Sequence, residues 1–148
     1  MTGSEVAALL GLSPMPEEGG MWAQTWKDDH GTGIYYLLQP HDFSALHRLE
    51  GPELWHHYAG APVEMLLLQP EGGVLRPVLG DDLASGQRPC VAVRSGVWMG
   101  ARTAGSWSLV GTTMAPPYRD EGFELGRADE LADRYPAAAA DIARYVRC

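Results

Sequence analysis

The chain of 148 residues is long enough to bury a hydrophobic core, and its length predicts a single domain over 1–148. The formal net charge is −8 and the only lysine is Lys27, so nothing in the sequence offers the basic surface that nucleic acids and anionic membranes require. Eighteen glycines and eleven prolines favour many turns, which all-β folds need.

The chain begins with a predicted short helix. Thr2 and Glu5 have the spacing of a capping box, in which each side chain can bond the backbone N–H of the other residue. Val6 and Leu9 belong to the apolar face that would pack on the rest of the protein, and Gly11 is suited to end the helix.

Most of the remaining chain is predicted to form short strands joined by turns. Segments rich in aromatic and β-branched residues predict strands over 21–26, 33–38, 54–58, 63–69, 74–79, 91–93, 97–101 and 107–114. Turn signals recur at intervals of roughly eight to twelve residues, which is typical of a sandwich or barrel. Two short helices, over 129–134 and 137–146, are predicted near the end of the chain, separated by Pro136.

The predicted fold class is all-β. So many short strands cannot all be buried by one open sheet, so the sheet should close or fold over itself as a small barrel or jelly roll. Such a barrel leaves a pocket at one mouth, lined by alternate residues of each strand.

The segment His47–Gly60, HRLEGPELWHHYAG, carries the strongest chemical signal, with three histidines and two glutamates in fourteen residues. Imidazole and carboxylate are ligands of catalytic divalent metals, and they are also the usual general acid–base pair. A metal site, a metal-free acid–base site and a polar lining are the three alternatives that this composition leaves open.

Strand periodicity divides this segment between two faces. Glu53, Trp55 and His57 share one face of the predicted strand and would line the pocket together. His47 precedes the Gly51–Pro52 turn and therefore belongs to the preceding strand, and adjacent antiparallel strands would bring it beside Glu53.

The spacing of Glu53 and Gly60 resembles the first motif of the cupin superfamily, which is H-x-H, three or four residues, E, six residues, G. His47 falls on the first histidine of that motif and Leu49 on the second. The segment 94–99 resembles the second cupin motif, P-x-G-x-x-H, with Met99 at its metal-binding histidine.

The whole chain is most similar to the cupin-5 family, once filed as a domain of unknown function. The matching segments follow in the family's order: LLGLSPMPEEGG (9–20), QTW (24–26), TGIYYLL (32–38), FSALHRLEGPELWHHYAG (43–60), LGDDLASGQRP (79–89), GVWMGAR (96–102), WSLVGTTMAP (107–116) and GFEL (122–125). The resemblance implies a cupin double-stranded β-helix, a jelly-roll-like barrel with a short N-terminal helix, C-terminal helices and an internal pocket. It also implies a homodimer.

The departures from the family pattern bear on function. Only His47 and Glu53 retain cupin metal positions, since Leu49 cannot ligate and the thioether of Met99, where relatives usually carry glutamine, suits a hard divalent ion poorly. The family's PHPEGG loop has Met15 in place of its histidine and gains a glutamate. Several changes run from polar to apolar, which suggests a pocket for a bulkier, less polar ligand, as in a specialised biosynthetic pathway.

We therefore expect a metal-independent acid–base enzyme of the isomerase, epimerase, cyclase or dehydratase type, with no cofactor and a small-molecule substrate. His47 and Glu53 are the predicted catalytic residues, because burial would raise the pKa of the carboxyl group. The predicted substrate-binding residues are Trp22, Gln24, Tyr35, Trp55, His57 and Met99. A non-catalytic small-molecule-binding barrel is the alternative, and a metal-dependent dioxygenase is the least favoured.

The cysteines and the chain ends predict a cytoplasmic protein. Cys90 and Cys148 do not have a CxxC spacing and are expected to be reduced thiols. The sequence shows neither a signal-peptide pattern nor an apolar run long enough to cross a bilayer. Neither a membrane nor a nucleic acid is an expected partner.

Overall fold

A computed structural model describes residues 1–147. Its helices are α1 (Gly3–Leu10), α2 (Ala128–Arg134) and α3 (Ala139–Arg144), with single 3-10 turns at Leu83–Ser85, Asp120–Gly122 and Pro136–Ala138. Its strands are β1 (Ser13–Pro14), β2 (Met21–Asp28), β3 (Gly31–Leu38), β4 (Ser44–Leu49), β5 (Glu53–Gly60), β6 (Val63–Leu68), β7 (Val74–Leu75), β8 (Val78–Leu79), β9 (Cys90–Val93), β10 (Trp98–Thr103), β11 (Ser108–Met114) and β12 (Phe123–Leu125).

The strands form two antiparallel sheets, which confirms the all-β cupin-type barrel. The first sheet has the order β1-β2-β3-β11-β5-β9, and the second has the order β12-β4-β10-β6-β7 with β8 also paired to β6. The inner faces of both sheets supply one hydrophobic core, in which Tyr36 and Trp55 of the first sheet pack with Met65 and Met99 of the second. The sheets therefore stabilise each other by burying their inner faces.

The C-terminal helices cover the outside of the second sheet. Leu46 and Leu66 point away from the barrel interior and pack against Leu131, Ile142 and Tyr145 of the helical segment. Strand β6 is consequently buried on both faces, which explains why its sequence VEMLLL is nearly continuously apolar.

The N-terminal helix is confirmed with one correction. The backbone N–H of Glu5 donates to Thr2 Oγ1 at 3.2 Å, and Gly11 ends the helix at φ 67°, in the left-handed region that glycine adopts without strain. Leu9, assigned to the buried face from periodicity, is 72% exposed, and Val6 and Ala7 are the residues that pack against the barrel.

Most strands lie where the sequence predicts them, with shifted boundaries. The segment predicted as one strand over 74–79 is divided into β7 and β8. Pro77 lies in the gap and has no N–H to donate to a ladder, which is why the strand is interrupted there.

The sequence predicts that His47 and Glu53 lie on adjacent, hydrogen-bonded strands, and this prediction is wrong. Strand β4, which carries His47, pairs with β10 and β12, whereas β5, which carries Glu53, pairs with β11 and β9. The turn at Gly51–Pro52 passes from one sheet to the other, so the two residues reach the same cavity from different sheets.

The remaining expectations about thiols and membranes are only partly covered by the structure. Cys90 is an exposed free thiol on β9, and Cys148 lies outside the described residues. Within residues 1–147 no helix is both long and apolar enough to cross a membrane.

Candidate active site

A cavity of about 460 Å³ lies between the two sheets, within the roughly 300–1,000 Å³ that small-molecule sites occupy. Strands of both sheets, the loop between β1 and β2, and the segment before β12 form its walls. The lining residues are Met15, Pro16, Glu17, Glu18, Trp22, Gln24, Thr32, Ile34, His47, Leu49, Glu53, Thr112, Met114, Tyr118, Asp120 and Phe123.

Strand periodicity explains which residues reach the cavity. Trp22 and Gln24 are two residues apart on β2, and His47 and Leu49 are two residues apart on β4, so each pair points to one face of its strand. The same spacing brings two residues each from β3 and β11 into the lining.

Glu53 is a buried carboxyl group with an unusual acidity. Its side chain accepts a hydrogen bond at Oε1 from the Trp55 indole Nε1, at 3.0 Å. The pKa of Glu53 is raised from 4.5 to about 7, chiefly by burial, which disfavours the charged form. The charge of Glu18 also raises this pKa, whereas nearby His47 and hydrogen bonds from Thr112 and Trp55 lower it. Desolvation outweighs the other effects, so Glu53 can hold or release a proton near neutral pH.

His47 is held in one orientation with one nitrogen directed at the cavity. Its Nδ1 lies 2.7 Å from the carbonyl oxygen of Ala45, which can only accept, so Nδ1 carries the hydrogen and donates. Its Nε2 lies 3.7 Å from Glu18 Oε1, close enough for ion pairing but too long for a hydrogen bond. The ring stacks on Phe123 with the centroids 5.4 Å apart. In the neutral ring, Nε2 therefore presents a lone pair that can accept a proton.

Glu18 lines the cavity, although it is not among the site residues predicted from the sequence. Ser44 Oγ donates to Glu18 Oε2 at 2.7 Å, which fixes the carboxylate while its other oxygen faces His47. The backbone N–H of Ala45 and Arg147 Nη1 both donate to the Glu18 carbonyl oxygen, at 2.8 and 2.7 Å. The sequence shows two glutamates in this loop, Glu17 and Glu18, but no local pattern signals that Glu18 is the one that contacts Ser44.

Four of the eight predicted site residues lie in the cavity wall, namely His47, Glu53, Trp22 and Gln24. Two more lie directly behind that wall. Trp55 is 1% exposed and contributes its indole hydrogen bond to Glu53, and Met99 is fully buried on β10 opposite His47.

Tyr35 and His57 are separated from the other predicted site residues. Tyr35 follows the cavity-lining Ile34, so alternation turns its ring to the outer face of the sheet, where it packs edge-on against Tyr58 with the centroids 6.2 Å apart. His57 lies towards the far end of β5 from Glu53, and its Nε2 lies 3.2 Å from the carbonyl oxygens of Gly60 and Ala61. The pairing of β5 with β11 shifts register at this point, which breaks the simple alternation from Glu53.

The residues at the cupin metal positions do not fit a hard divalent ion. Leu49 lines the cavity where the motif has its second histidine, and Met99 places a thioether where the motif has its last. Across residues 1–147, no group of three or more histidine, cysteine, aspartate or glutamate side chains has an arrangement that could hold a metal ion.

Several solved structures share the fold. A protein from Shewanella oneidensis superposes with a TM-score of 0.94 at 28% identity, over 99% of this chain and 98% of its own. A hypothetical protein from Leishmania major has a TM-score of 0.90 at 24% identity, with both chains fully covered. Oxalate decarboxylase from Bacillus subtilis has a TM-score of 0.63 at 9% identity, over 90% of this chain and 37% of its own, which is a likeness of fold alone.

No curated protein matches the chain. The Cupin_5 family model, described as "Cupin superfamily (DUF985)", matches residues 4–126. The match spans most of the chain and agrees with the two-sheet barrel and its internal cavity. This chain belongs to the Cupin_5 family of the cupin superfamily.

Proposed function

We propose that this cupin is a metal-independent acid–base enzyme of the cytoplasm that isomerises, epimerises, cyclises or dehydrates a small organic substrate inside the barrel. One observation carries the proposal. A buried imidazole and a buried carboxyl group face the same cavity from strands of different sheets, and the pKa of the carboxyl group, Glu53, is raised to about 7. Groups with a pKa near the working pH are the most effective proton donors and acceptors.

In the proposed reaction, His47 Nε2 removes a proton from the substrate and becomes an imidazolium. Glu18, whose Oε1 lies 3.7 Å from that nitrogen, stabilises the new positive charge. Glu53, in its protonated form, delivers a proton to the substrate from the other sheet. In an isomerisation or epimerisation one proton leaves and another returns; in a dehydration the Glu53 proton departs with the hydroxyl group as water.

Apolar walls support this chemistry. Leu49, Met114 and Phe123 line the cavity, and a substrate packed against them would exclude water from the reacting groups. A drier environment strengthens the electrostatic interactions between the substrate and the catalytic groups. The same environment keeps Glu53 protonated at a pH where an exposed glutamate is ionised.

A proton-exchange assay tests the proposal before the natural substrate is identified. The protein is incubated in deuterated water with a panel of small carbonyl, hydroxyl and amino compounds, and mass spectrometry records deuterium uptake or product formation. We expect the wild type to act on at least one class of compound.

The His47→Asn variant is the matched test of the base. Asparagine Nδ2 can still donate to Ala45 O, as His47 Nδ1 does, but the variant lacks the nitrogen that faces the cavity. Exchange should be lost in this variant, whereas weaker ligand binding should remain, because Glu18 and the apolar walls are unchanged. The exposed Glu71→Gln variant is the control and should behave as wild type. A protein that binds compounds yet exchanges no proton in any of them would be the non-catalytic binding barrel, and the proposal would fail.

A further inference from the structure

Among the described residues, the cavity is lined by four acidic residues and by neither lysine nor arginine. The four acidic residues are Glu17, Glu18, Glu53 and Asp120. An anionic ligand, such as a carboxylate or a phosphate, would meet repulsion from the carboxylates of Glu17, Glu18 and Asp120 and find neither a lysine nor an arginine among the described residues of the wall to pair with.

Nearby arginines are engaged outside the cavity. Arg48 Nη2 pairs with Glu124 at 2.7 Å, and Arg119 Nη2 pairs with Glu50 at 2.8 Å. Arg147 binds the backbone carbonyl of Glu18 from outside the loop and leaves the Glu18 carboxylate directed inwards. The acidic character of the wall is therefore not neutralised by these neighbours.

A second observation points to a ligand that donates hydrogen bonds. His47 is 2% exposed, its Nδ1 is used by Ala45 O, and its Nε2 has no hydrogen-bond partner in residues 1–147 although it is directed into the cavity. A neutral imidazole nitrogen of this kind can only accept a hydrogen bond. Together with the carboxylate of Glu18, it forms a cluster of acceptors to which a ligand can donate an N–H or O–H group.

The rest of the wall suits an apolar body that carries a positive charge. Trp22, Tyr118 and Phe123 place aromatic rings around the cavity, and such rings attract cations over their faces. Leu49 and Met114 add aliphatic surface between the rings and the acidic groups. The polar groups would orient a charged head, and the apolar groups would hold the remainder of the molecule.

We propose that the barrel takes a small organic cation, a protonated amine on an apolar or aromatic body, bound with its ammonium group between Glu18 and His47. The inference that this amine is also a substrate rests on the proposed function. Binding itself does not depend on turnover, so the two can fail separately.

The test compares ligands of one shape and different charge. 2-Phenylethylamine, 2-phenylethanol and 3-phenylpropionate share an aromatic body and carry a cationic, a neutral and an anionic head. Isothermal titration calorimetry of the full chain at low salt should give about tenfold tighter binding for the amine than for the alcohol, because hydrogen bonds to charged groups are the stronger ones. The carboxylate should show no binding. Cyclohexylmethylamine and cyclohexylmethanol repeat the comparison on an aliphatic body.

Glu18→Gln is the variant that tests the position of the ammonium group. It keeps the size of the side chain and a carbonyl oxygen that can accept from Ser44, but removes the charge that faces His47. The preference for the amine over the alcohol should fall to within about threefold. If Glu18→Gln lowers the melting temperature, Asp120→Asn, which also removes a charge from the cavity wall, replaces it in the test. Glu71→Gln, on the exposed surface, is the control and should leave the preference for the amine over the alcohol unchanged.

Three results would overturn the inference. These are an alcohol that binds as tightly as its matched amine, a carboxylate that binds more tightly than either, and the failure of both amines to bind at millimolar concentration. Proton exchange that persists beside any of these results would leave the proposed function standing. Amine binding without exchange in any compound would remove the proposed function and leave this inference standing.

Discussion

The raised pKa of Glu53 predicts a specific dependence of stability on pH. In the folded protein the carboxyl group holds its proton up to about pH 7, whereas in the unfolded chain it ionises at its ordinary value of 4.5. The folded state thus binds the proton more tightly, and its stability falls as the pH rises from 4.5 to 7. Each pH unit across this window is worth about 1.4 kcal/mol, so the full loss is about 3 kcal/mol.

The Glu53→Gln variant removes this titration and retains an acceptor for the Trp55 indole. The free energy of unfolding of wild type minus that of the variant should therefore decrease by about 3 kcal/mol between pH 4.5 and pH 8. Urea unfolding followed by tryptophan fluorescence at several pH values measures both quantities. Glu71→Gln, at an exposed position, should follow the wild-type curve in parallel. A wild-type-minus-variant difference that stays constant across the window would refute a raised pKa for Glu53.

Three further outcomes follow from other contacts. Trp55→Phe removes the indole donor that favours the ionised carboxylate, so the pH midpoint of the Glu53 effect should move upward in the same unfolding series. Ser44→Ala removes the hydroxyl donor to Glu18 and should lower the free energy of unfolding in urea by about 1 kcal/mol. Amide hydrogen exchange should become faster only in residues 15–20, and unchanged exchange there would show that the Ser44 hydrogen bond does not anchor this loop. The homodimer implied by the family resemblance stays a prediction. Leu54, which is 40% exposed on the outer face of the first sheet, offers a test, since light scattering should give a dimer for wild type and a monomer for Leu54→Asp. A monomeric wild type at micromolar concentration would contradict it.

The sequence predicts the barrel well because its signals are local. The Thr2 cap, the turns rich in glycine and the strand-forming segments each depend on residues within a few positions of one another. The motif spacing also identifies His47 and Glu53, since it reflects their fixed places on two consecutive strands.

Other features of the site depend on contacts that local patterns do not contain. Periodicity places His47 and Glu53 on inward faces, but it does not say which strands pair. The two residues are therefore predicted on paired strands of one sheet, whereas their strands belong to different sheets. The same limit applies to Tyr35, whose outward direction follows from a register that the sequence alone leaves free. Glu18 reaches the site through Ser44, twenty-six positions away, and a contact of that range has no signature in a single sequence.

Arg147 connects the loop of residues 15–20, which lines the cavity, to the helices on the outer face of the second sheet. Arg147 binds Glu18 O, the Asp42 carboxylate and Phe43 O, and it directly follows the helical segment that packs on the outer face of the second sheet. Unravelling of α3 would carry this guanidinium away and release the loop that closes one side of the cavity. We therefore expect mutations that weaken the packing of the helices on the second sheet to loosen this loop and to speed ligand release, although they do not contact the ligand.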